Sequence, residues 1–298
     1  MRLLLFFLVW CTVQTLGEVD LNFSKCSEFF YNRSPPKGLT RTEYQPICQR
    51  FRNQYHFASL YDRVRRTPLF SAYVISVPDG RRPKSTWMKE PQLSFSRADP
   101  EMRQFGVPVD QNVLESQAVP DDYRHSNYTK GHLNPSMHMN SSESRKATFT
   151  LTNIVPQKAG SNSGTWNILE NEVLKRFKSF CEGPMYMITG VLPYASVGRH
   201  INNRVGVPEY LWSAYCCPSY RSDLPESARH LFPTYAALGR NDPSSGEEFV
   251  PVNVSAKRAM RHYDVRQMSL TSLEGILAQR LNSPVSLFDG QCLTGPDQ

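Results

Sequence analysis

Cys216 and Cys217 stand side by side, and this pair constrains the fold more than any other short feature of the 298-residue chain. A bridge between neighbouring residues is strained, so the two thiols are expected to reach two different partners and tie three parts of the chain together. Seven cysteines are present, but Cys11 lies in MRLLLFFLVWCTVQTLGEV. There one arginine precedes an apolar run of roughly ten residues, and small and polar residues follow around Gly17, the layout of a secretory signal peptide. Removal of residues 1–17 leaves Cys26, Cys48, Cys181, Cys216, Cys217 and Cys292, an even count with no C-x-x-C pair. In an oxidising compartment such thiols are expected to form bridges rather than a zinc site. Cys26 with Cys48 is the expected local pairing.

No stretch after the leader approaches the roughly 20 apolar residues needed to cross a bilayer, so a secreted chain without stable membrane insertion is expected. Sequons at Asn22, Asn32, Asn127, Asn140 and Asn253 fit that route, with Pro35 crowding the second. The formal net charge of +7 favours polyanions such as nucleic acid, heparin-like sugars or anionic lipid. The basic residues are nonetheless spread thinly, with RVRR at 63–66 and GRRPK at 80–84 as the short clusters. Oligomeric state is not written in the sequence.

With no internal repeat or low-complexity linker, residues 18–298 are read as one domain. Residues 68–76 are rich in aromatic and β-branched side chains and end at the turn Pro78-Asp79-Gly80, which predicts a strand; residues 185–190 and 209–215 follow the same logic. Trp166, Leu169, Val173, Phe177 and Phe180 recur at spacings of three and four, which predicts a helix over 165–180. A second helix is predicted over 272–281, opening on a Ser/Thr cap and turning Leu273, Ile276 and Leu277 inward. Strands and helices without a βαβ rhythm indicate an α+β fold, sheet and helices in one domain stapled by disulfides.

Cleaving a phosphodiester takes a base for water, an oxygen-ligated divalent cation and cationic side chains for transition-state charge. His132 is the candidate base, because a neutral imidazole accepts a proton near neutral pH and Gly131 beside it lets substrate come close. The bland alternative is a hydrogen-bonded structural histidine. Asn162 offers a neutral amide oxygen suited to magnesium, although an asparagine ahead of a helix is equally explained as an N-cap. Glu170, two turns into the helix on the edge of its apolar stripe, suits a hydrogen bond to water on such an ion, or is an ordinary flank carboxylate. A zinc site from His125, His132 and His138 fits poorly, since spacings of seven and six match no compact ligand pattern.

Taken in order, Tyr128-Thr129-Lys130-Gly131-His132-Leu133, then Thr152-Asn153-Ile154-Val155-Pro156-Gln157, then Asn162-Ser163-Gly164-Thr165-Trp166 with Leu169-Glu170, resemble the DNA/RNA non-specific endonuclease family of the ββα-metal group. Together with Trp87-Met88-Lys89-Glu90-Pro91, the chain looks closest to the secreted endonuclease domain-containing 1-like members. The resemblance spans about residues 68–281. It implies a hairpin and helix framing one Mg2+, with Mn2+ or another divalent cation as the alternative. It assigns the general base to His132, the metal to Asn162 and the glutamate behind the metal to Glu170. The family's Asp-Arg is Thr129-Lys130 here, which leaves Lys130 to steady the phosphate as a point charge where a planar fork would grip it in two places. The family can also carry an arginine two residues before the tryptophan; this chain has Ser85 there, with Lys84 or Arg82 as nearby substitutes. Two readings follow. One is a secreted, Mg2+-dependent endonuclease acting on DNA, RNA or both; the other is a catalytically weakened nuclease fold that binds polyanions or a protein partner.

Overall fold

Seven antiparallel strands form one sheet whose spatial order follows the chain: β1 (Tyr44–Phe51), β2 (Gln54–Asp62), β3 (Thr67–Val74), β4 (Tyr186–Leu192), β5 (Tyr210–Cys216), β6 (Thr234–Arg240) and β7 (Val265–Met268). The computed structural model describes residues 19, 22–84, 86–195, 198–246, 248–290 and 292. The expected signal peptide lies outside them. The three predicted strands fall on β3, β4 and β5. Every residue of β5 is buried, as an interior strand covered on both faces requires.

A polar row crosses one face of this sheet. Ser59, Ser71, Thr189 and Ser213 lie directly opposite one another on β2 to β5, and their hydroxyls bond in pairs at 2.9 and 3.0 Å. The row meets the 111-residue excursion between β3 and β4 that carries the candidate site. There Asn153 fills all of its hydrogen-bonding capacity: its oxygen accepts from the Ser71 hydroxyl and the Asn134 N–H, and its amide donates to the carbonyls of Asn134 and Thr148. Four satisfied bonds on a fully buried amide make it a rivet between sheet and excursion.

Within the excursion, Thr129–His132 pairs with Ile154–Gln157 as a two-stranded antiparallel hairpin, and the helix Trp166–Phe180 follows it. Hairpin and helix form the ββα core inside an α+β fold, as expected. Trp166, Leu169 and Val173 are buried, with Phe177 and Phe180 packed partly against the same core. Gly239 on β6 is required here, because a Cβ would lie 2.8 Å from the Trp166 ring. The second helix, Leu270–Leu281, starts two residues earlier than predicted, because the Ser269 hydroxyl takes the Ser272 N–H at 3.2 Å and so marks the first turn.

The adjacent cysteines do bond apart: Cys216 to Cys292, and Cys217 to Cys181 just beyond the long helix. Cys26 pairs with Cys48 on β1. Loops of these lengths are worth about 3–5 kcal/mol per bridge in chain-entropy terms. All five sequon asparagines are exposed. Among the described residues no helix is long and apolar enough to cross a membrane.

Candidate active site

A cleft of about 420 Å3 opens between the hairpin, the start of the long helix and the segment 78–82. His132, Asn162 and Glu170 all line it, together with Arg82, Arg145 and Asn167. Residues 38 positions apart thus meet because the hairpin folds back and hands the chain directly to the helix.

The way the chain enters that helix decides what Asn162 does. Residues Ser161–Thr165 form one widened turn, with Gly164 outside helical geometry, and the helix proper begins at Trp166. Such turns recur at functional sites because they lift a side chain out of the regular ladder. The asparagine does not cap the helix. Its Nδ2 donates to the Thr129 hydroxyl at 2.8 Å, and that hydroxyl donates in turn to the Gln157 carbonyl at 2.7 Å. With the amide nitrogen committed, Oδ1 is the end left for a ligand. The threonine that stands where the family has aspartate therefore orients the candidate metal ligand, which the sequence did not reveal.

His132 sits in an aromatic box, 5.8 Å from the Trp87 ring and 5.2 Å from that of Phe149. Its Nε2 is buried with no hydrogen-bond partner among the described residues. Leaving such an atom unmet costs about 1–3 kcal/mol, and proteins retain such groups where a ligand or reactant is to meet them. Burial, helped by the positive charge of Arg82, holds the imidazole down to about 3, so it is neutral at physiological pH. Gly131 beside it has a packing role: a Cβ would lie 2.7 Å from that of Gln157, whose amide donates to Ser161 at 2.8 Å.

Glu170 is pushed up to about 8 by burial, with Arg82 and the Asn167 amide pulling the other way. Its main-chain carbonyl accepts from Nε2 of His138, while Nδ1 of that ring accepts from the Tyr73 hydroxyl, each at 3.0 Å. With both nitrogens of His138 engaged, the zinc trio does not assemble, and no group of three His, Cys, Asp or Glu gathers among the described residues. The oxygen donors that do line the cleft, the Asn162 amide and the Glu170 carboxyl, suit a hard divalent cation.

Lys130 is placed differently. It shares the strand face of His132, but its ammonium lies 5.4 Å from the Trp87 ring centroid and 5.0 Å from that of Tyr123, away from the cleft lining. Arg82 is the cation that reaches the cleft, 5.2 Å above the Phe149 ring and unpaired with any carboxylate among the described residues. Arg145 also lines it but is committed to Asp79 and to the Asn140 carbonyl. Sequence reasoning noticed Arg82 only through its distance from Trp87. Nothing local to GRRPK marks which of its cations turns inward.

The DNA/RNA non-specific endonuclease family profile matches residues 36–267. The chain is 31% identical over 207 residues to the human Endonuclease domain-containing 1 protein, a match covering 68% of this chain and 40% of that protein. The mouse counterpart is 34% identical over 205 residues, covering 65% and 39%. The chain therefore spans about two fifths of the length of these relatives. Among solved structures, the EndoG/EndoGI complex aligns over 80% of this chain and 86% of that one, with a TM-score of 0.52 and 18% identity, a likeness of fold. Hairpin, helix and cleft lie inside the matched span, and the chain belongs to the DNA/RNA non-specific endonuclease family.

Proposed function

We propose that this chain is a secreted, Mg2+-dependent endonuclease that hydrolyses phosphodiester bonds of DNA, RNA or both without reading base sequence. The observation that carries the reading is the unmet Nε2 of a neutral His132, buried in a cleft that also presents Arg82, Asn162 and Glu170. Asn162 would hold the cation through Oδ1, with Mn2+ or another divalent ion as the alternative. When bound, the cation supplies positive charge to the phosphate and the leaving oxygen.

His132 takes the proton from an attacking water as the new phosphorus–oxygen bond forms and the scissile one breaks. Its low proton affinity keeps it ready as an acceptor, and an anionic phosphate arriving beside it raises that affinity. Arg82 faces the non-bridging oxygens, where its fork can bond two of them while charge develops. The phosphate-steadying role expected of Lys130 thus passes to Arg82, and Lys130 instead braces Trp87, one wall of the imidazole box. Glu170 accepts from Asn167 and orders water at the foot of the cleft. Phosphate contacts position a strand without specifying bases, which fits the family's description as non-specific.

The reading is tested by incubating the mature protein with plasmid and with RNA, in Mg2+ or chelator, beside His132→Ala. Cleavage is expected for wild type in Mg2+ and in neither control. Wild type that never exceeds the His132→Ala background under several divalent ions would mark the chain as a nuclease fold retained for binding polyanions or a protein.

A further inference from the structure

The catalytic cleft has a neighbour. A groove of about 560 Å3 lies against Lys84, Thr86 and Met88 and is flanked by Lys146, Arg103, Phe51 and Met102. It shares two walls with the cleft. The first is the segment after β3, where Arg82 lines the cleft and Lys84, two residues on, lines the groove. The second is the helix Ser142–Ala147, where Arg145 lines the cleft and Lys146 the groove. Each wall therefore carries a cation into each depression.

Three carboxylates on the segments that flank the groove are already neutralised: Asp99 by Arg103, Glu101 by Arg50 and Glu143 by Arg52. Lys84 is exposed and Lys146 partly exposed, and among the described residues neither pairs with a carboxylate. Between them the groove presents the half-buried Phe51, with Met88 and Met102 buried beneath its floor. Uncommitted ammonium groups beside an accessible aromatic ring are the combination that holds a single strand, with phosphates on the cations and a base against the ring.

We propose that this groove is an accessory binding site for the single-stranded run of polynucleotide next to the scissile bond, with Lys84 and Lys146 each contacting one phosphate. The inference rests on the endonuclease reading for its substrate, but its test does not need turnover. The probe is a fluorescein-labelled thymidylate oligomer of about 20 nucleotides, long enough to span cleft and groove, titrated in chelator at several salt concentrations and read by anisotropy. Two phosphate contacts to a single strand contribute about 1.4 to the slope of log affinity against log salt. Lys84→Gln with Lys146→Gln is expected to lower the slope by that amount and to weaken binding at physiological salt. Lys175→Gln with Lys178→Gln, the same charge change on the far part of the long helix, is expected to leave it unchanged. A slope that moves equally in both double variants, or wild type that fails to bind, overturns the groove. Cleavage of a small chromogenic phosphodiester, read in parallel with Mg2+, should be equal in wild type and the groove variant. Its failure in both, with the slope shift present, sinks the catalytic reading and leaves the groove standing.

Discussion

Replacing Thr129 by valine tests whether the candidate metal ligand is aimed by its neighbour. Valine keeps the branched shape on the hairpin strand and removes two hydrogen bonds, the 2.7 Å bond to the Gln157 carbonyl and the 2.8 Å bond from the Asn162 amide. At about 0.5–1.5 kcal/mol each, the loss is about 1–3 kcal/mol. At about 2–4 °C per kcal/mol for a chain of this size, the melting temperature in chelator should fall by roughly 2–12 °C. The second effect is on orientation. A bond worth about 1 kcal/mol holds the amide oxygen outward by about fivefold over the flipped rotamer. Without it the two approach parity, so the outward fraction falls from about five in six to about one in two, and the half-saturating Mg2+ concentration for cleavage should rise by about 1.7-fold while kcat at saturating Mg2+ stays near wild type. Thr129 also completes the sequon at Asn127, so the comparison belongs in an Asn127→Gln background. Thr129→Ser, which keeps the hydroxyl, should behave as wild type. A valine variant that melts lower yet shows unaltered Mg2+ dependence would refute the orienting role.

Three further outcomes follow from the same geometry. Arg82→Ala should lower kcat by about 10²–10³, the cost of removing one donor to developing charge, whereas Lys130→Ala should cost far less; steady-state kinetics on plasmid separates them, and the reverse order contradicts the assignment. Gly131→Ala should destabilise by about 1–3 kcal/mol through collision with Gln157, read as a lower denaturation midpoint; a neutral effect would contradict the close approach. In chelator, the summed contribution of His132, His138 and Glu170 to stability should peak near pH 6.5. His132 and His138, held to about 3 and about 4, favour the folded state above 6.5, and that contribution is lost as pH falls toward those values. Glu170, raised to about 8, favours it below 4.5 and loses its contribution as pH rises through 8. Among these three groups, two imidazoles outweigh one carboxyl below that pH, and the carboxyl is the one that titrates above it. Glu170→Gln should therefore flatten the alkaline side of a melting-temperature profile, and an unchanged decline there would count against its burial.

What could be read in the sequence was what repeats or stands alone. The apolar spacing from Trp166 to Phe180 locates the long helix, and the aromatic runs locate β3, β4 and β5. His132, Asn162 and Glu170 carry their motif, and the structure brings all three into one cleft. Partners chosen across space were not legible. Arg82 reaches the cleft from a turn 50 positions before His132, and nothing in GRRPK separates it from Lys84, which faces the groove. Asn153 looks like one more polar residue in a motif until Ser71, Asn134 and Thr148 are placed around it. Parity and adjacency required Cys216 and Cys217 to bond apart, but only the fold, which brings the residue after the long helix beside Cys217, selects Cys181 for one of them.

The bridge from Cys216 to Cys292 spans 76 positions and encloses the exposed stretch around Val254. A protease that cuts there would release nothing: both pieces stay joined through the sulfurs and through β6 and β7. Nicked molecules should run as one band until a reductant is added and as two afterwards, with the cleft intact throughout. For a protein exposed to proteases, that link converts a scission into a scar.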